Sequence, residues 1–140
     1  MCLPVTPYKV EKEWVHAGLK CAVVQAGELQ HRCGYVRVPP THSLHGKDYY
    51  TPNIEVHGGL TYAKEESCVE EDGKGWWFGF DCAHCDDASY DPSINSANCP
   101  PDLVDGLRIR EMYPIRGEHF WTLSEVVAET DRLAEQLAVA

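Results

Sequence analysis

Gly75-Trp76-Trp77-Phe78-Gly79-Phe80-Asp81-Cys82-Ala83-His84-Cys85-Asp86-Asp87 is the stretch on which the reading of this chain turns. Trp76 to Phe80 is its most apolar segment. Aromatic rings between Gly75 and Gly79 fit a central strand better than a helix. Side chains alternate along a strand, so Trp76, Phe78 and Phe80 face one way and Trp77 and Gly79 the other. One tryptophan then enters the core while the other lines a pocket. Asp81, Cys82, His84, Cys85, Asp86 and Asp87 end the segment with groups that do chemistry. Upstream, Asn53-Ile54-Glu55-Val56-His57-Gly58-Gly59-Leu60-Thr61-Tyr62 is a second apolar segment, with His57 and Thr61 flanking a glycine pair. If the two segments pair through the loop at 63–74, both polar ends converge on one pocket.

Working outward, Leu19 to Gln25 and Arg32 to Val38 read as strands, rich in small and β-branched residues and able to form a hairpin. Pro39-Pro40 ends the second, because neither residue can donate to a ladder. Residues 41–50 read as an ordered loop with His and Tyr at its tip. Ile54 to Val56 begins a third strand, and Leu60 to Ala63 continues extended. The charged residues of 64–74 suit a solvated loop. Residues 1–18 look irregular or briefly helical, anchored by Tyr8, Val10 and Trp14. Residues 87–105 read as a long surface loop, and Leu107 to Tyr113 as a strand or a short helix before Pro114. The C-terminus is a helix: Thr122 and Glu125 fit a capping box, and Leu123, Val126, Val127, Thr130, Leu133, Ala134 and Leu137 recur at helical spacing. The expected fold is α+β, one domain over residues 1–140, an antiparallel sheet with the C-terminal helix packed on one face.

The 140 residues suit one domain. The chain has 12 basic and 22 acidic side chains and a formal net charge of −10. That field repels a phosphate backbone and argues against nucleic-acid polymers as partners. It leaves room for a small phosphorylated ligand held by local donors. Met1 to Pro7 is too short and too rich in proline for a signal peptide. No apolar run of about 18 residues predicts a membrane span. With seven cysteines, an odd count, the expectation is a cytosolic setting with mostly free thiols, Cys21 and Cys33 serving as small apolar filler. A homodimer is the expected assembly if there is one.

Cys33-Gly34-Tyr35-Val36, the His42 to Tyr49 loop with Gly46, Val56-His57-Gly58-Gly59-Leu60-Thr61-Tyr62, and Trp76-Trp77-Phe78-Gly79-Phe80-Asp81-Cys82-Ala83-His84 together resemble a family of small proteins from tailed phages. The resemblance spans Trp14 to Asp87. Small residues commonly follow Cys-Ala-His in that family, where this chain has Cys85-Asp86. The carry-over therefore covers His57, Thr61, Asp81 and His84 and stops there. The resemblance implies phage origin and action in the cytoplasm of an infected bacterial host. It implies no reaction.

The residues themselves allow several chemistries. Cys82, His84 and Cys85 suit zinc, though Cys-x-His-Cys is cramped beside Cys-x2-Cys and lacks a second pair of matching spacing. His57, Asp81 and His84 are an alternative set for a catalytic metal. The reading preferred here needs no metal and no cofactor. One of His57 and His84 acts as base and the other as acid on a phosphodiester or glycosidic bond, and Asp81 orients one imidazole. Thr61 and the amides near Gly58 and Gly59 hold phosphate oxygens. Tyr35, His45, Tyr49 and Trp77 are candidate ligand-binding side chains, the aromatic rings as stacking platforms. Arg32, Arg37 and Lys47 are the nearest cations to offset the acidic field, and otherwise read as surface charges. The expected function is binding of a small nucleotide-derived ligand, such as a cyclic nucleotide immune signal of the host. Hydrolysis by histidine acid–base catalysis is favoured over sequestration without cleavage. The rival from another class is an acidic interaction protein that blocks a host protein.

Overall fold

The computed structural model describes residues 9–26, 30–83, 97–99, 101–112 and 119–140. These form five strands, β1 (Lys9–His16), β2 (Leu19–Gln25), β3 (Arg32–Val38), β4 (Tyr62–Glu65) and β5 (Trp76–Asp81). Two helices follow: α1 (Val104–Met112), preceded by a 3-10 turn at Pro101–Leu103, and α2 (Leu123–Ala138). The sheet is antiparallel throughout, in the order β1-β2-β3-β5-β4. The helix α2 lies across β2 and β3 and reaches β1. The architecture is the α+β arrangement expected from the sequence. No helix among the described residues is long and apolar enough to cross a membrane.

β2, β3 and β5 fall where composition places them. β1 is a correction to the irregular or helical reading of the first residues. Ala17 (φ 53°) and Gly18 (φ 78°) both take positive φ, the conformation of a two-residue hairpin turn, and His16 then pairs with Leu19. A register shift between Val10 and Lys12 breaks the alternation that would have announced the strand. The 87–105 loop is shorter than expected, since helical structure begins at Pro101, and the helical alternative for Leu107 onward is the one realised. The part of that loop at 87–96 lies outside the described residues, as does Tyr8.

Ile54 to Val56 is not a strand. The Gln136 side chain accepts from the Glu55 amide at 2.8 Å and donates to the Glu55 carbonyl at 2.7 Å, so a helix side chain takes the place of a ladder partner. This belongs to a larger feature, the strap formed by residues 41–61. His42 Nδ1 accepts from the Leu44 amide, which leaves Nε2–H to donate to the Leu137 carbonyl at 2.7 Å at the end of α2. Glu55 then meets Gln136, and the His57 amide donates to Glu129 at 3.0 Å. The strap thus runs from the C-terminal towards the N-terminal end of α2. Val56 stays buried under it, with Leu44, Ile54 and Leu60 packed against the same core.

That core fills the space between sheet and helix. Cys21, Val23, Val36, Val38, Phe78 and Phe80 meet Val126, Leu133, Ala134 and Leu137. The other face of the sheet carries Ala22, Val24, Cys33, Tyr35 and Trp77, with Tyr62 against them. Trp76 and Trp77 therefore point to opposite faces, as alternation requires. The Tyr35 ring lies over Gly79, where an added Cβ would come within 2.4 Å of it. Trp77 is 0% exposed and its indole Nε1–H has no hydrogen-bond partner among the described residues. An unmet buried donor costs about 1–3 kcal/mol.

The 64–74 segment is not simply solvated. Arg37, 5% exposed, donates from Nε to Glu66 at 2.8 Å and from both Nη atoms to Asp72, at 2.9 and 2.6 Å. Glu66 is buried and its second oxygen accepts from the Gly75 amide at 2.7 Å. Arg37 thus corrects the surface-charge reading: it staples the β4–β5 connection onto the sheet. Its hydrogen bonds hold the Asp72 carboxyl below the usual carboxylate range.

β1 is joined to α2 by polar contacts. The Trp14 indole donates to Asp131 at 2.7 Å, and His16 stands between Glu135 (2.8 Å from Nε2) and Asp131 (3.5 Å from Nδ1). The hydrogen bond to Glu135 is the main cause that raises the His16 pKa above 6.5; burial opposes it and the Asp131 and Glu135 charges add to it. A raised folded-state value means that the protonated form stabilises the fold. The contribution is complete below 6.5 and is lost as pH rises through the folded value. His16→Asn is therefore expected to lower the melting temperature at pH 5.5 and to leave it nearly unchanged well above the folded value. Thermal melts across that range check it, and a deficit that grew with pH would refute the sign.

Candidate functional site

Thr61 and Asp81 meet at the C-terminal end of β5, and His57 lies on the turn of the strap that leads to Thr61. Val56 is buried, and the Gly59 amide returns to its carbonyl at 2.8 Å. Gly58 (φ 68°) and Gly59 (φ 79°) both adopt left-handed backbone, which glycine takes at little cost. The turn throws His57 off the core, and Leu60 folds back onto it. Thr61 rejoins the sheet, its amide donating to the Gly79 carbonyl at 2.9 Å. Its hydroxyl donates to Asp81 Oδ2 at 3.2 Å. Asp81 Oδ1 accepts from the Ala83 amide at 3.1 Å, a local turn of the kind aspartate favours. The two segments do pair, and Thr61 and Asp81 do meet.

His57 meets a residue that sequence reasoning passed over. Its ring lies 4.3 Å from the Trp121 ring at 38°. Trp121 also has His119 edge-on, with centroids 5.7 Å apart. Trp121 precedes the N-cap Thr122, and the capping box with Glu125 is formed in both directions. A hydrophobic residue at that position is expected to pack near the fourth helical residue, here Val126, and both belong to one cluster. That position was the available signal, but it marks packing and says nothing of His57. His119 Nε2 is 2.6 Å from Glu125 Oε2. Burial pushes the Glu125 carboxyl up, but the Thr122 amide, His119 and the Thr122 hydroxyl together hold it below its usual value.

Arg32 ties this shelf to the sheet. Its Nη1 donates to the Trp121 carbonyl at 3.1 Å, its Nε donates to Glu11 at 2.6 Å, and its guanidinium lies 5.5 Å from the Phe120 ring centre. The Arg32 carbonyl in turn accepts from the Cys82 amide at 3.0 Å. A continuous chain of contacts thus leads from His57 through Trp121 and Arg32 to the end of β5, where Asp81 and Thr61 sit.

The remaining predicted residues divide. His84, with Cys85, lies outside the described residues. His45 is at the other end of β5: its Nε2 donates to the Lys74 carbonyl at 2.8 Å, and its ring is 6.0 Å from that of Trp76. Strand rise puts the ends of a six-residue strand about 17 Å apart. The Trp76 indole donates to the Lys47 carbonyl in the same loop. Tyr49 is exposed and edge-on to Tyr50, whose hydroxyl donates to Asp48. Tyr35 and Trp77 are corrected as stacking platforms. Both are buried against the sheet, Tyr35 edge-on to Tyr62 at 5.0 Å, and a ring packed in a core has no face left for a base. The amides of His57 and Gly59 are spent on Glu129 and Val56. The Thr61 hydroxyl donates to Asp81, so of the polar groups named for phosphate at the glycine pair the Gly58 amide is the one that remains.

Among the described residues no group of three His, Cys, Asp or Glu side chains is placed to hold a metal ion. Burial pushes the Cys21 and Cys33 thiols up to about 12, so neither supplies a thiolate near neutrality. Cys21, Cys33, Cys82 and Cys99 are thiols, whereas Cys68 is disulfide-bonded. Most described cysteines are thiols, as expected; Cys68 is the exception, because partner proximity is not written in cysteine spacing. Disulfides persist mainly in oxidising compartments, so the cysteines alone do not assign this chain to the cytosol. A cavity of about 410 Å³ lies beside β1, β2 and Trp77 and shares no lining residue with the His57 shelf. Comparison with known protein families, with curated proteins and with solved structures returns no match.

Proposed function

We propose that this chain is a phage-encoded protein that binds a small nucleotide-derived ligand at the C-terminal end of β5, such as a cyclic nucleotide immune signal of the bacterial host. The observation that carries the reading is the His57–Trp121 ring pair, 4.3 Å between centroids, beside a glycine turn and the Thr61–Asp81 contact. An indole face is a platform for any base, and imidazole changes charge near neutrality. The phage origin rests on the resemblance of the motifs around His57 and Asp81. The net charge of −10 disfavours a polymer and leaves room for a small ligand held by local donors.

Calorimetry against cyclic di- and trinucleotides and cyclic ADP-ribose variants tests it. Binding of at least one is expected. Trp121→Ala should weaken it about 5- to 150-fold, because a stacked base is worth about 1–3 kcal/mol. Absence of heat and of any thermal shift across the panel removes the proposal. Hydrolysis is the finer reading, with His57 as base, Asp81 as its orienting partner and His84 as acid. It is favoured by the chain of contacts that runs from His57 through Trp121 and Arg32 to the strand end carrying Asp81. Recovery of the ligand after heat denaturation separates the two outcomes. Product that disappears in His57→Ala means hydrolysis, and intact ligand means sequestration.

A further inference from the structure

We infer that Arg32 is a positioning residue of the His57 shelf: clamped by Glu11, it fixes where the Trp121 ring stands against His57. The consequence for ligand affinity rests on the binding site proposed above, whereas the positioning is read on the protein alone. The arm begins at a fault in β1. The register shifts between Val10 and Lys12, which leaves Glu11 without a Cα partner on β2. Bulges of this kind re-aim a side chain, and here the Glu11 carboxylate meets Arg32 at the start of β3. Nε donates to Oε1 at 2.6 Å and Nη2 to Oε2 at 3.3 Å. The Arg32 and Glu11 side chains are 14% and 15% exposed. The guanidinium is a planar fork, so a carboxylate across two of its nitrogens sets its orientation.

The clamped guanidinium reaches the other way, to the segment ahead of α2. Nη1 donates to the Trp121 carbonyl at 3.1 Å, and the Phe120 ring centre is 5.5 Å away. Trp121 stands one residue before the N-cap Thr122, which is itself extended (φ −72°, ψ 164°). The hydrogen-bond ladder of α2 therefore does not fix the Trp121 peptide, and the capping box acts from Thr122 onward. The Arg32 backbone completes the link, its carbonyl accepting from the Cys82 amide at 3.0 Å, next to Asp81. One residue thus holds both halves of the shelf, the aromatic platform by its side chain and the strand end by its backbone. Nε, Nη1 and Nη2 each donate to a protein oxygen, which favours a holding role over direct capture of a phosphate.

NMR of the intact chain reads the placement without a ligand. The indole ring current moves the His57 ring protons upfield while the two rings stand 4.3 Å apart, and the His57 signal is the one missing in His57→Ala. Arg32→Gln should return that signal towards the position of an unstacked histidine. Glu11→Gln should move it part of the way, and it keeps the test open if Arg32→Gln fails to fold by circular dichroism. Arg37→Ala, near the opposite end of β3, should lower stability and leave the signal in place below its melting temperature, so lost stability alone does not account for a shift. Where a cyclic dinucleotide binds, Arg32→Gln should weaken it about fivefold or more, the low end of what a lost base stack costs. It should add nothing in the Trp121→Ala background. A panel without binding removes the ligand site and leaves the NMR result to decide the positioning. An unmoved His57 signal in folded Arg32→Gln, or in Glu11→Gln where that variant does not fold, would overturn the proposal. So would an equal shift in Arg37→Ala, or an affinity loss that persists in full without Trp121.

Discussion

Arg37→Ala is expected to cost about 3–5 kcal/mol, the range for removing one partner of a buried ion pair. The reason lies less in the bonds lost than in what they leave behind. The Glu66 side chain has no exposure and 2.8 Å separates it from Arg37 Nε. Without the guanidinium its charge stays in the sheet's interior, held only by the Gly75 amide at 2.7 Å. Glycine at 75 is part of the same arrangement, since an added Cβ would stand 2.2 Å from Arg37 Nε. Urea denaturation of the variant gives the loss directly. Adding Glu66→Gln to Arg37→Ala should recover part of it, because the amide oxygen keeps an acceptor for Gly75 without the charge. Asp72→Asn should cost far less, at most about 1 kcal/mol, because that carboxylate is half exposed and screened by water. Equal costs for Arg37→Ala and Asp72→Asn would show that the pair with Glu66 is not what holds the connection.

Gly34→Ala is the second large effect, with an expected cost of about 1–3 kcal/mol from overpacking. An added Cβ would lie 2.3 Å from Thr130 Oγ1 and 2.5 Å from the Phe80 ring. Neither neighbour yields cheaply. The Thr130 hydroxyl is fixed to the Val126 carbonyl at 2.7 Å, and Phe80 is packed in the core. The helix must therefore lift from β3, which loosens the main core. The double variant with Thr130→Ala should regain some stability but not all, since the Phe80 ring remains in place. Residues in contact are coupled in this way, and a double-mutant cycle measures it. Fully additive costs would mean that the helix does not approach the sheet at Gly34.

Much of the fold was legible because its signals are local. The Thr122–Glu125 capping box lies within one helical turn, and each partner satisfies the other's backbone amide. The alternation that set Trp76 against Trp77 needs only neighbouring residues. β1 was missed for an equally local reason: charged residues and a register shift blur its period. The candidate site was half legible. His57, Thr61 and Asp81 sit where glycines and a strand end announce them, and the strand pairing brings Thr61 to Asp81. Trp121 could not be nominated, because its contact with His57 spans the strap and the helix.

The sequence by itself determined the strand periods, the final helix with its cap, and the acidic field that argues against a polymer partner. These follow from propensity, side-chain alternation and composition, which act over a few residues or over the whole chain at once. Only the tertiary structure decided which charges are buried and which rings remain usable. Arg37 and Lys47 look alike along the chain, yet Arg37 finds Glu66 across 29 positions and Asp72 across 35. Tyr35 and Trp77 look like platforms, yet sheet pairing presses one over Gly79 and buries the other with its indole N–H unmet. A pair of groups far apart in sequence gains its energy only when the fold pays the entropy of bringing them together, and no local pattern records that meeting.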